Sequence, residues 1–159
     1  MFTERKKLPY TVRPGAKWID VRVLGGTLVA YEGERPVYAA AISPGRDGVT
    51  VRPRSHTTLP GLYQVQWKHY SADMSGREGN RPWAVDEVPF VAYFFESLAL
   101  HGAHWHDEFG RPRSHGCVNL SPRSAQWLFR WMDPEVPRGW YAVAGFGRGV
   151  PITVVDVRP

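Results

Sequence analysis

The sequence predicts a mainly β domain, sandwich-like or barrel-like, with one principal helix. Three observations carry that reading. Short runs that alternate apolar and polar side chains recur along the chain. They are separated by turn chemistry, with 16 glycines and 14 prolines among 159 residues. Only one stretch shows the i, i+3, i+4, i+7 apolar spacing of a helix.

Residues 18–23, beginning at Trp18, alternate as a half-buried strand does. Gly25-Gly26 turns the chain into residues 27–32, and Gly33-Glu34 turns it again into residues 36–42. Residues 43–48, with Pro44, Gly45 and Gly48, end this run, so a three-stranded antiparallel meander is expected. Beyond Pro60-Gly61, residues 62–67 alternate once more. Residues 69–82 are polar, carry glycine and show no period, which predicts a long functional loop. Residues 90–95 and 97–101 read as two strands, the second ending on His101. Ser121 is a good N-cap and Pro122 suits the first helical position; Ala125, Leu128, Phe129 and Met132 then form one face, and Pro134 stops the helix. Trp127 and Trp131 on that helix read as core or rim packing. Residues 140–144 and 152–157 complete the strands, with a glycine-rich turn over 145–149 between them.

The length suits one domain spanning residues 1–159, with residues 1–16 as an N-terminal extension. The longest apolar run, residues 90–95, is far short of the ~20 residues a spanning helix needs. Residues 1–7 lead into no apolar stretch, so no signal peptide is expected. The net charge of +5 comes mostly from arginine. The arginines are scattered singly, which describes a solvated basic surface and no nucleic-acid footprint. The single cysteine excludes an internal disulfide.

The chemistry is concentrated in residues 101–119. This stretch holds His101-Gly102, His104-Trp105-His106, Arg111, Arg113 and Ser114-His115-Gly116-Cys117-Val118-Asn119, and so four of the six histidines. A thiolate is a nucleophile, and a nearby imidazole or helix N-terminus activates it. Gly116 permits a tight, positive-φ turn that aims backbone amides at an oxyanion. His101, at a strand end, is rigidly mounted.

His-Gly followed by Ser-His-Gly-Cys-Val-Asn resembles the signature of the L,D-transpeptidase catalytic domain, the YkuD-like fold of bacterial cell-wall enzymes. The resemblance extends over nearly the whole chain. Residues 18–45 are similar to that domain's opening strands, and Leu59-Pro60-Gly61-Leu62-Tyr63 to its Thr-Pro-x-Gly segment, with Leu59 in place of threonine. Residues 71–79 are similar to its polar loop and 121–132 to its helix. The resemblance implies a β-sandwich of mixed sheets that acts on peptidoglycan stem peptides in the periplasm or cell envelope, without metal or cofactor. It implies Cys117 as nucleophile, His101 as base, and the Gly102 carbonyl as the group that orients the His101 ring. It makes the amides of His115, Gly116 and Cys117 the oxyanion donors. Asn119 stands where many members carry arginine. Ser114, Asn119, Arg113, Trp105 and Trp83 are expected to contact substrate. The acyl acceptor implied is an amine of a second stem peptide, or water in an L,D-carboxypeptidase.

Two other classes compete. His101, His104 and His106, with Cys117 as a fourth ligand, would make a zinc hydrolase, although the spacing fits no standard zinc signature. A catalytically silent wall-binding module would bind sacculi without using Cys117.

Overall fold

The computed structural model describes residues 12–49, 56–147, 149 and 151–159. Residues 1–11 of the expected extension, including the start expected to carry no signal peptide, and residues 148 and 150 of the glycine-rich turn lie outside the described residues. The strands are β1 (Lys17–Arg22), β2 (Thr27–Glu32), β3 (Arg35–Ala41), β4 (Gly61–Gln64), β5 (Trp67–Glu78), β6 (Arg81–Phe95), β7 (Leu98–Gly102), β8 (Val118–Leu120), β9 (Ala142–Ala144) and β10 (Val154–Arg158). The helix is α1 (Pro122–Trp131). They form two five-stranded sheets, ordered β3-β2-β1-β10-β4 and β8-β7-β6-β5-β9. Both are mixed, because β1 runs parallel to β10 and β7 parallel to β8. The mainly β architecture with a single principal helix follows the expected class.

The inner faces of both sheets meet in one core with α1. Ile19, Val21 and Leu28 come from the first sheet, Phe94, Leu100 and Leu120 from the second, and Ala125, Leu128 and Met132 from the helix segment. Each fully buried Val, Leu, Ile, Phe or Met among them contributes about 1.5–3 kcal/mol. The meander β1–β3 forms as expected, but β1 is buried on both faces. Trp18 is fully buried in a smaller cluster with Val12, Tyr31 and Val154, stacks on Tyr31 at 4.4 Å, and donates to the Gly33 carbonyl at 2.7 Å. The alternation of β1 therefore separates two apolar clusters, with the buried Asp20 held by Arg22 at 3.1 Å.

Two expectations are corrected. The run 62–67 is two strands in different sheets: β4 pairs with β10, the chain crosses at Val65 and Gln66, and Trp67 opens β5. Val65 N–H bonds to Thr153 O at 3.0 Å and Gln66 N–H to Tyr93 O at 2.8 Å, so each backbone donor at the crossing is satisfied by a different sheet. The expected loop over 69–82 is instead the paired arm of a long hairpin, β5 and β6, with its turn at Gly79-Asn80. A register shift between Ala72 and Met74 breaks the two-residue period, which is why the sequence shows none. Gly76 sits under the Trp83 ring, where an added Cβ would lie 2.7 Å from Cζ2, so only glycine lets the indole lie flat across the ribbon.

α1 starts as read: Ser121 Oγ accepts from Ser124 N–H at 3.2 Å and Pro122 opens the first turn. Trp127 is half-buried at the helix rim, stacked on Tyr38 at 4.2 Å. Trp140 and Tyr141 fall outside β9, and the last strand begins at Val154, later than Ile152.

Candidate active site

β7 ends on His101 and Gly102, and its parallel neighbour β8 sets Asn119 opposite His101. Cys117 immediately precedes β8, level with Ala99. The loop that delivers it is fixed from three directions. Arg113 and Ser114 N–H both donate to Pro44 O, at 2.8 and 3.0 Å, and Arg46 N–H donates to Ser114 O at 3.1 Å. Thr58 Oγ1 accepts from Gly45 N–H at 2.8 Å and donates to Gly116 O at 2.7 Å. Ser114 Oγ accepts from Gly116 N–H at 3.0 Å and donates to the Cys117 carbonyl. Gly116 has φ +130°, and an added Cβ would lie 2.9 Å from Leu98 Cδ2. The loop shape that presents Cys117 thus depends on glycine at 116 for both conformation and space.

The Cys117 thiol donates to Ser97 O at 3.4 Å and accepts from the Ala99 N–H. Burial pushes its pKa up to about 11 against that one favourable amide. His101 is 3% exposed, and its Nδ1 lies 3.1 Å from Gly102 O. That contact makes Nδ1 the protonated nitrogen and leaves Nε2 as an acceptor. Burial pulls the His101 pKa down to about 4, against the Gly102 hydrogen bond; the nearby His106 adds to the lowering. Trp105 covers the His101 ring, centroid to centroid 5.8 Å.

His101 and Cys117 line one cavity of about 400 Å³, together with Ser114, His115, Asn119, Arg113, Trp105 and Trp83. The structure therefore gathers at one place every side chain expected there, with Gly102 and Gly116 supporting through backbone. Arg46, Met74 and Val85 also line it and were not anticipated. Met74 and Val85 belong to the hairpin read as a loop. Arg46 lies in a turn whose Pro-Gly punctuation explained it without a functional role.

His115 faces the hairpin. Its ring stacks on Trp83 at 4.6 Å, meets His56 edge-on at 5.1 Å, and Nε2 lies 3.6 Å from Glu78 Oε2. Burial, then the charges of Arg46 and His56, hold its pKa below the usual value. Arg46 in turn pairs with Glu78 at 2.6 Å, and Arg113 pairs with Glu108, so the mouth is charged in both signs.

The histidines proposed for zinc do not converge. His106 Nε2 accepts from Asn119 Nδ2 at 3.1 Å, whereas exposed His104 lies edge-on to Trp105 at 5.1 Å. Among the described residues, no group of three or more His, Cys, Asp or Glu side chains is placed to hold a metal ion.

Two mixed sheets, one helix, and a cysteine and a buried histidine at one cavity define a β-sandwich domain with a thiol–imidazole site. The family model described as the L,D-transpeptidase catalytic domain, YkuD, matches residues 16–154, and the chain belongs to that family. Among solved structures, it is similar to a Cys-to-Ser mutant of an Enterococcus faecium L,D-transpeptidase (21% identity, TM-score 0.66, covering 90% of this chain and 50% of that one). It is also similar to L,D-transpeptidase 3 from Mycobacterium tuberculosis in complex with a faropenem-derived adduct (19%, TM-score 0.65, 91% and 60%). The catalytic domain alone from the E. faecium enzyme matches over 91% of this chain and 98% of its own (20%, TM-score 0.64). The chain thus spans half to three-fifths of the longer structures. None of the curated proteins matches it.

Proposed function

We propose that the chain is a cysteine-dependent L,D-transpeptidase acting on peptidoglycan stem tetrapeptides. The observation that carries this reading is that Cys117 lines one cavity with a buried His101 whose Nδ1 is held by Gly102, which leaves Nε2 as the acceptor nitrogen of that ring.

With the thiol near 11 and the imidazole near 4, both groups rest neutral. Burial raises the thiol and lowers the imidazole, so charge separation before attack is disfavoured. The proton therefore moves to His101 Nε2 as the sulfur bonds to the carbonyl carbon between the third residue and the terminal D-alanine. The amides of His115 and Cys117 hold the resulting oxyanion; the Gly116 amide is already engaged by Ser114. Each such donor is worth about 3 kcal/mol in comparable sites. Collapse breaks the C–N bond, and His101 returns the proton to the departing D-alanine amine. The side-chain amine of a second stem peptide then attacks the thioester and gives its proton to His101. The sulfur leaves and is reprotonated, and a 3→3 cross-link results.

Mass spectrometry of the protein with a disaccharide-tetrapeptide tests this. The expected result is D-alanine release with a cross-linked dimer, both absent with Cys117→Ala. Tripeptide alone would assign water as acceptor, and turnover by Cys117→Ala would overturn the thiol mechanism.

A further inference from the structure

The outer face of the second sheet, turned away from the shared core, carries a row of aromatic side chains that runs across the strands to Cys117. Register defines the row. Trp67 of β5 pairs with Tyr93 of β6, and Tyr93 with Ala99 of β7. Ala99 stands beside Cys117 and donates its N–H to the sulfur. On the far side, β9 brings Phe146, whose ring lies 5.9 Å from that of Trp67. His69, two residues along β5 and so on the same face, is 6.3 Å from Trp67, 5.9 Å from Tyr93 and 6.4 Å from Tyr141. The rings far from the sulfur are the open ones: Trp67 is 43% exposed, Tyr141 58% and Phe146 63%. Tyr141 is held in place, its hydroxyl 2.6 Å from Ser71 Oγ.

Beyond Phe146 the row meets a second cavity, of about 420 Å³, whose lining includes Gln64, Gln66 and Tyr63 and, among the described residues, no charged side chain. This contrasts with the mouth around Cys117, where Arg46, Arg113 and Glu78 stand. Exposed aromatic faces flanked by amide and hydroxyl groups, without charge, suit a neutral ligand with flat apolar faces and a polar rim. A pyranose ring with hydroxyl and acetamido groups has that form.

The reach agrees. Three strand-to-strand steps place Trp67 about 14 Å from Cys117. Three extended residues span about 10 Å, so a stem peptide with its third carbonyl at the sulfur would bring its attached sugar to Tyr93, two steps away, and sugars continuing in that direction would lie over Trp67.

We propose that this row binds the glycan strand, a neutral N-acetylated amino-sugar backbone, and makes the site prefer glycan-bearing stem peptides over free ones. The proposal rests on the transpeptidase reading above. The test uses the full chain and two readouts. Chitotetraose, a peptide-free oligomer of N-acetylglucosamine, is titrated by calorimetry against wild type, Cys117→Ala, Trp67→Ala, Trp67→Phe and Phe146→Ala. The ratio of kcat/KM for disaccharide-tetrapeptide over bare tetrapeptide is measured for the same variants except Cys117→Ala. Chitotetraose should bind wild type and Cys117→Ala alike, about tenfold more weakly to Trp67→Ala and Phe146→Ala, with Trp67→Phe in between. The substrate ratio should fall at least about fivefold in the alanine variants, through KM. Absence of chitotetraose binding by wild type, or equal binding by folded Trp67→Ala, overturns the proposal; so does an unchanged ratio. Should neither peptide substrate turn over, the transpeptidase reading fails, while the chitotetraose titration still decides whether the row holds a glycan.

Discussion

Among the described residues, two basic side chains are buried, Lys68 and His101, and their surroundings differ in one respect. Lys68, 1% exposed at the end of the core near α1, is pulled down to about 8 by burial. Its ammonium donates to Met132 O at 2.6 Å and Pro134 O at 2.7 Å and lies 4.7 Å over the Phe129 ring. Its neighbours close around it, and it ties the exit of α1 to β5. His101, 3% exposed, is pulled down to about 4 by the same cause. Its Nδ1 is occupied by Gly102, but its ring also lines the cavity that holds the thiol. Burial costs both groups; the closed one ties elements of the fold together, and the half-occupied one lines the cavity with one ring nitrogen held by Gly102.

Substitutions sharpen the contrast. The largest effect is expected at Cys117: Cys117→Ala should abolish D-alanine release with little change in melting temperature, read by product analysis and circular dichroism. His101→Ala should slow acylation by about a hundredfold or more while the protein stays folded. Lys68→Ala should do the reverse. It leaves two buried carbonyls without their donor and opens a cavity, costing about 3–5 kcal/mol in urea unfolding, with kcat per folded molecule retained. His115→Ala, which loses the Trp83 stack and the Glu78 contact, should lower acylation roughly tenfold through loop placement, with the thiol's titration unmoved.

Acid adds a further distinction. The folded His101 pKa of about 4 lies below its ordinary 6.5, so between those values the unfolded chain binds more protons. Stability is therefore lost as pH falls from 6.5 towards 4, by up to about 3 kcal/mol from this group. Urea midpoints across that window should slope less steeply in His101→Gln; an unchanged slope would mean the imidazole is not buried neutral.

The two regions were not equally legible in the sequence. The meander β1–β3 and helix α1 face an apolar core, so alternation at Ile19, Val21 and Leu28 and the i, i+3, i+4 face of Ala125, Leu128 and Phe129 disclose them. The Ser-His-Gly-Cys loop was legible because its chemistry needs rare residues close together. The hairpin β5–β6 was not. Its far half lines a cavity through Met74, Trp83 and Val85 while its other face meets solvent, and the shift at Ala72 erases the strand period. Arg46 and Glu78, which meet at 2.6 Å across 32 residues, are joined only by the fold. The burial of Lys68 is equally silent in sequence, since its partners are backbone carbonyls.

The neutral thiol–imidazole pair is tested most directly by the pH dependence of acylation. Faropenem labelling of wild type and His101→Ala is followed by intact mass from pH 4 to pH 10. Wild type should form one adduct, absent in Cys117→Ala, at a rate that levels above about pH 5 because His101 is already a free base. His101→Ala should be at least about a hundredfold slower at pH 7 and climb about tenfold per pH unit, since only solvent-formed thiolate remains reactive. A His101→Ala variant that keeps the wild-type rate and level profile would contradict the assignment of His101 as the base.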